Sequence, residues 1–256
     1  MNGLQGRVAL VTGATGLLGG AIALRLAMEG STVVVASRDI SKAERWVAEN
    51  KGSGKFIPLQ LDLADEQSIT NSLRHVTDHV GTPTVLVANA SLREGLSVPF
   101  QQLTHSSFTN LFGVDIAGHI LLAQRMVEAL NGLPASIIFL SSIYAKVGAD
   151  RKIYPEGMSP APVQYSAVKA AAEGTTRWLA AQWGSLGVRV NALVPGGIAS
   201  SARQSLEFVK KYSDKTMLGR MAAADEVASA AAFLASDEAS YVTGHCLVVD
   251  GGLTAW

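Results

Sequence analysis

The stretch QYSAVKAAAEG at residues 164–174 places a phenol, Tyr165, four positions before an ammonium group, Lys169. An isolated tyrosine keeps its proton to about pH 10, so alone it is a poor acid or base near neutrality. A cation a few ångströms away favours the ionised form. Positions i and i+4 share a helix face, so Lys169 can supply that cation. The pair suits proton transfer to or from an alcohol or carbonyl oxygen. The same spacing also describes an ordinary helix-surface pair, so its chemistry depends on its company.

A second stretch, TGATGLLGG, follows the first apolar run and opens a helical one. Its Gly13, Gly16 and Gly19 permit a tight turn, and a backbone without side chains lets N–H groups reach a pyrophosphate at a helix N-terminus. Thr15 and Leu17 belong to the same turn. The second apolar run ends in VVVASRD, where Ser37 and Arg38 occupy the first turn positions. An arginine there can pair bidentately with a ribose 2′-phosphate, or stand as an ordinary solvated loop charge. NADP(H) is therefore favoured, while Asp39, one or two positions late for a ribose-binding carboxylate, keeps NAD(H) open. Asp62 in LQLDLAD either bonds an adenine amino group or caps the helix beginning near Asp65.

Other chemistries fit poorly. Cys246 is the only cysteine, so neither an internal disulfide nor a cysteine zinc site can form, and its setting HCLVVDGG suits burial. The five histidines show no HExxH pattern, and His75 and His79 read as solvated residues of a surface helix, so no metal is expected. Formal net charge is zero without long like-charge runs, which argues against nucleic-acid and anionic-membrane surfaces. The start MNGLQGRVALVTG reads directly into a strand, and no apolar run approaches the roughly 18 residues of a membrane span. A cytoplasmic setting is the expectation.

The elements that must carry these residues alternate. Strands are expected at 7–12, 32–37, 55–61, 84–89, 136–141, 188–194 and 246–250, each an apolar run of the kind covered on both faces. Between them run helical stretches such as LLGGAIALRLAMEG and ADEVASAAAFLAS. In the latter a start at Ala223 or Asp225 puts Val227, Ala231 and Leu234 on one face. Such alternation predicts one α/β domain, a doubly wound parallel seven-stranded sheet with helices on both faces. Two segments break the rhythm, 144–163 and 195–216, and both follow strands, so both can reach the ligand-binding edge of the sheet.

With YSAVK at 165–169, these features resemble the short-chain dehydrogenase/reductase family, whose landmarks run in order from residue 7 to the end. They are TGATGLLGG, LDL at 61–63, ANAS at 88–91, FLSS at 139–142, YSAVK, NALVPGGI at 191–198 and YVTGHCLVVDGG at 241–252. The resemblance implies a Rossmann-like fold and oxidoreduction between a secondary alcohol and a ketone. Ser142 would hold the substrate oxygen, Tyr165 would be the acid or base, and Lys169 would also bind the nicotinamide ribose. Cofactor contacts are implied at Leu63, Asn89, Ala90, Pro195, Gly196, Ile198 and Ser200 as well. The loop beyond Ser200 resembles a substrate lid. Relatives commonly form homodimers or homotetramers through the helices bearing residues 115 and 165, and Leu253 and Trp256 offer a second interface.

Three departures stand out. The glycine spacing 13/16/19 differs from the common pattern, which has a glycine where this chain has Leu17. Asp115 in FTNLFGVDIAGHILLAQ replaces the usual catalytic asparagine. It could hold a water beside Lys169, pair with Lys169 directly, or serve only the helix. Ser142 and Tyr165 are 23 positions apart, a gap longer than usual. The surplus carries Asp150, Arg151, Lys152, Tyr154 and Glu156, which suggests an added wall over the site and a polar or sugar-like small-molecule substrate. Two other readings stay open: an epimerase or dehydratase holding its nicotinamide tightly, and a cofactor-binding sensor without catalysis.

Overall fold

In the computed structural model the residues described are 1–96, 98–200, 202 and 204–256. Ser201 and Arg203, within the expected lid segment, lie outside them. The strands are β1 (Val8–Thr12), β2 (Thr32–Ser37), β3 (Lys55–Gln60), β4 (Pro83–Ala88), β5 (Ala135–Leu140), β6 (Val188–Pro195) and β7 (Cys246–Val249). They form one parallel sheet in the order β3-β2-β1-β4-β5-β6-β7. The chain order reverses between β1 and β4. A crevice opens there at the carboxyl ends of the strands, because the connections leave on opposite sides.

The helices are α1 (Leu17–Met28), α2 (Ile40–Glu49), α3 (Glu66–His79), α4 (His105–Phe112), α5 (His119–Ala129), α6 (Val163–Trp183), α7 (Leu206–Ser213) and α8 (Ala224–Ala235). One face of the sheet packs on α1 and α8, through Ile22, Leu26, Val227, Ala231 and Leu234. The other packs on α3, α5 and α6, through Ile69, Leu73, Leu122, Met126 and Leu179. The shared face expected for Val227, Ala231 and Leu234 is thus the one buried. The helix begins one residue after Ala223, where Glu226 reaches back to the Ala223 N–H.

The central strands β1, β4 and β5 are buried almost end to end, as continuous apolar runs require. The expectation fails at the edges. β7 is half-buried along its length and β3 exposes Lys55 and Gln60, because an edge strand lacks a neighbour on one side. The helix expected through residue 115 is also not uniform. Between α4 and α5 a wider π-helical turn spans Gly113–Gly118 and carries Asp115 inward.

A third apolar cluster has no counterpart in the sequence reading. Ile143, Ile153, Phe208, Tyr212 and Met221 form it, with Tyr144, Tyr154 and Leu253 packed against them. It joins the 144–163 insertion to α7.

Candidate active site

The crevice holds a cleft of about 780 Å³ between the ends of β1, β2, β4, β5 and β6. Its floor is the glycine turn. Gly13 has a φ of +63°, and a Cβ there would lie 2.9 Å from the Ala90 Cα. A Cβ on Gly19 would meet the Gly13 carbonyl oxygen at 2.3 Å, so α1 can approach β1 this closely only without a side chain. Gly16 caps α1 without any side-chain hydrogen bond, which leaves first-turn N–H groups facing the cleft beside Thr15. Leu17 is the first helical residue and stands half-exposed on the cleft wall. Its backbone is ordinary helix, so the missing glycine costs no strain.

Asn89 ties the two central strands at the switch point. Its Nδ2 donates to the Thr12 and Gly13 carbonyls at 2.8 and 3.2 Å. Thr12 Oγ1 accepts from the Asn89 and Ala90 N–H groups, both at 2.9 Å. His119, fully buried in α5, completes this corner. Its Nδ1 donates to the Asp115 carbonyl at 3.0 Å, so neutral Nε2 accepts from the Thr12 hydroxyl at 2.9 Å. Burial pushes the imidazole down to about 4, overcoming the opposing pull of the Asp115 carbonyl.

At the far end, Ser37, Arg38 and Lys42 line the wall. Asp39 caps α2 by accepting from the Ser41 N–H at 3.0 Å, so its carboxylate is held by the helix. Asp65, not Asp62, caps α3. Asp62 accepts from the Ala64 N–H at 2.9 Å and stands on the cleft wall with Leu63.

At the near end stand Ser142, Tyr165 and Lys169. β5 delivers Ser142, whose Oγ accepts from the Tyr144 N–H at 3.3 Å and starts a tight 3-10 turn. Pro162 opens α6, which sets Tyr165 in its first turn and Lys169 one turn on. The Lys169 Nζ lies 5.5 Å from the centre of the Tyr165 ring. It donates to the Leu140 carbonyl at 3.1 Å and sits 3.5 Å from Asp115 Oδ2. The other Asp115 oxygen accepts from the Leu92 N–H at 2.9 Å. Of the three roles open to Asp115, the geometry is that of a direct pair with Lys169. Asp115 itself lies beneath the cleft and meets its wall through Lys169 and the Leu92 N–H.

Asn89, Ala90, Pro195, Gly196, Ile198 and Ser200 line the same cleft, so every candidate cofactor residue borders one space. Sequence reasoning missed others on its wall: Lys42, Ser91, Leu92, Arg93, Glu94, Val114 and Gln204. Gln204 folds the loop after β6, accepting from the Ser200 N–H and donating to the Ile198 carbonyl, both at 2.9 Å. It lies in a segment whose irregularity had marked it. His119 carried no signal beyond being a histidine on an apolar helix.

The insertion behaves differently from expectation. Among the described residues, none from 144–163 lines the cleft. Asp150 pairs with Lys215 at 3.0 Å, Tyr154 packs on Phe208 with ring centres 5.5 Å apart, and the Tyr144 and Tyr154 hydroxyls bond each other. Tyr212 in α7 accepts from the Gly197 N–H, and burial pushes its phenol up to about 12. The apolar residues of the insertion and α7 bury one another, so the surplus chain packs against α7. It reaches the site through Tyr144, whose ring meets that of Tyr165 edge-on at 6.5 Å.

Known proteins resemble this one along nearly its whole length. The family model described as enoyl-(acyl carrier protein) reductase matches residues 13–254. The chain belongs to the short-chain dehydrogenase/reductase family. It is 33% identical to the 3-oxoacyl-[acyl-carrier-protein] reductase FabG of Pseudomonas aeruginosa, covering 98% of each chain. It is 31% identical to glucose 1-dehydrogenase 2 of Bacillus subtilis, covering 99% of this chain and 96% of that protein. A solved gluconate 5-dehydrogenase from Burkholderia cenocepacia, in complex with NADP and tartrate, superposes with a TM-score of 0.84 at 26% identity, covering 98% and 96%. The chain is accordingly an NAD(P)-dependent oxidoreductase interconverting alcohols and ketones. The glycine turn, the open first turn of α1 and the cleft volume fit such a dinucleotide. No helix among the described residues is long and apolar enough to cross a membrane.

Proposed function

We propose that this chain is an NADP(H)-dependent dehydrogenase or reductase of a polar, sugar-like or related carbonyl substrate, with Tyr165 as its acid/base. The observation that carries the reading is the meeting of Ser142, Tyr165 and Lys169 at one end of a cleft whose other end presents Arg38 and Lys42. Ser142 holds the substrate oxygen and Tyr165 exchanges a proton with it. Lys169 places a positive charge beside the phenol and binds the nicotinamide ribose. The nicotinamide, when bound, accepts or supplies the hydride. Gly13, Thr15, Gly16, Leu17 and Gly19 cradle the pyrophosphate, and Ser37, Arg38, Asp62, Leu63, Asn89 and Ala90 hold the adenosine half and the ribose. Pro195, Gly196, Ile198 and Ser200 contact the nicotinamide. Asp115 acts through Lys169.

NADP(H) is favoured because two cations face the adenosine end, while the carboxylate able to bind a free ribose, Asp39, caps α2. The substrate class draws on the glucose and gluconate dehydrogenases among the similar proteins. Trp178 on α6 and the terminal Trp256 are exposed, which supports a homodimer or homotetramer. A cytoplasmic setting accords with one unpaired cysteine. The test is NADPH and NADH binding, followed by turnover of sugars, polyols, keto-acids and β-ketoacyl thioesters. Net oxidation of NADPH with one class supports the reading. Tightly copurifying cofactor with epimerisation and no net turnover would favour the epimerase, and binding without chemistry would favour the sensor.

A further inference from the structure

The 23-position gap between Ser142 and Tyr165 raises a mechanical problem. Two groups meant to grip one substrate oxygen are joined by a long excursion, and small misplacements of reacting groups cost large factors in rate. The chain leaves the β5 edge after Lys146 and returns at the start of α6. At the base of that excursion Lys146 Nζ meets Glu173 Oε2 at 3.1 Å. Glu173 lies on α6 one turn beyond Lys169, on the same face, and its side chain is 10% exposed. Its other oxygen lies 3.3 Å from the buried Ser141 hydroxyl, which also donates to the Lys169 carbonyl at 3.0 Å. Among the described residues Lys146 is the only cation within 4 Å of that carboxylate.

We infer that Lys146 and Glu173, through Ser141, are positioning residues that clamp the Ser142 turn to the Tyr165 helix. The clamp brackets Ser142 on both sides: Ser141 precedes it, and Lys146 closes the 3-10 turn that it starts. It bypasses the insertion, so motion of residues 147–162 is not passed on to the gap between the hydroxyl and the phenol. Neither residue lines the cleft, so neither touches substrate or cofactor.

This rests on the proposed function, and the test separates the two. Lys146→Met, Glu173→Gln, their double variant and Lys146→Arg are compared with wild type and Tyr165→Phe. The substrate is the panel carbonyl that wild type reduces fastest with NADPH. In Lys146→Met and Glu173→Gln, kcat falls by about 10- to 100-fold while KM and the NADPH Kd stay within about twofold. The double variant loses no more than either single one, because both break one contact. Lys146→Arg keeps the ion pair and stays within about threefold of wild type. In parallel, hydrogen exchange of residues 141–146 is followed in the NADPH-saturated proteins, a readout that needs no turnover. Exchange speeds in Glu173→Gln and Lys146→Met but not in Lys146→Arg. Unchanged kcat in both single variants, additive losses, or unchanged exchange overturns the clamp. Full turnover in Tyr165→Phe overturns the proposed function instead and leaves the exchange comparison to decide the clamp.

Discussion

Acidification should destabilise this protein through one identifiable imidazole. His119 is buried with its Nδ1 committed to the Asp115 carbonyl and its Nε2 accepting from Thr12. A second proton on Nε2 would face a hydroxyl oxygen that already accepts two N–H bonds. Burial accordingly lowers the group from 6.5 to about 4. In the unfolded chain the ring takes up its proton near pH 6.5, while the native chain refuses it until about pH 4. The unfolded state thus binds more protons in that window, and stability rises with pH through it. The contribution is fully present above 6.5 and is lost progressively as pH falls towards 4. At roughly 1.4 kcal/mol per unit, the loss from pH 7 to pH 5 is about 2 kcal/mol. Urea unfolding at fixed protomer concentration, at pH 7 and pH 5, reads it in wild type and His119→Gln. The variant removes the titration, so its stability should fall by about 2 kcal/mol less than that of wild type over the same interval. Equal pH dependence in the two proteins would refute the reasoning.

Three further outcomes follow from the site. Asp115→Asn leaves Lys169 without its carboxylate partner at 3.5 Å and so frees its charge for Tyr165. The pH–rate profile should move acidwards with activity retained, and superimposable profiles would contradict that. Arg38→Ala should weaken NADPH binding by about 10-fold or more, as loss of a charge-assisted contact does, and NADH binding by less than about twofold. Equal losses, measured by cofactor fluorescence, would remove Arg38 from the 2′-phosphate. Gly19→Ala drives a methyl into the Gly13 carbonyl and the Asn89 amide. It should cost about 1–3 kcal/mol in thermal or urea unfolding and impair NADPH binding; a wild-type result on both would show that the turn can give way.

The sheet was legible because its strands are apolar runs, and seven such runs alternate with helical periodicity. Burial from both sides leaves that signature, and it fades at β3 and β7 because an edge strand is half in solvent. The glycine turn and Arg38 stood out because each directly follows a strand end, and Tyr165 and Lys169 because they lie one helical turn apart, whereas Asn89 and Ser142 came from the family resemblance. Lys42 and Gln204 were not, because they enter the cleft from a helix turn and a loop whose shapes no local pattern fixes. The insertion was visible only as surplus length. That Tyr154 and Ile153 would bury themselves against Phe208 is a long-range packing choice, and polar neighbours such as Arg151 and Glu156 masked it. The π turn at Asp115 likewise left no trace in the helical periodicity around it.

The most direct measurement of the central claim is Tyr165→Phe, which removes one hydroxyl and keeps the ring packed beside Tyr144. NADPH binding should stay within a few-fold of wild type, while reduction of the preferred carbonyl falls by at least about 10²-fold across the pH range. Reduction at the wild-type rate with cofactor bound would contradict the account.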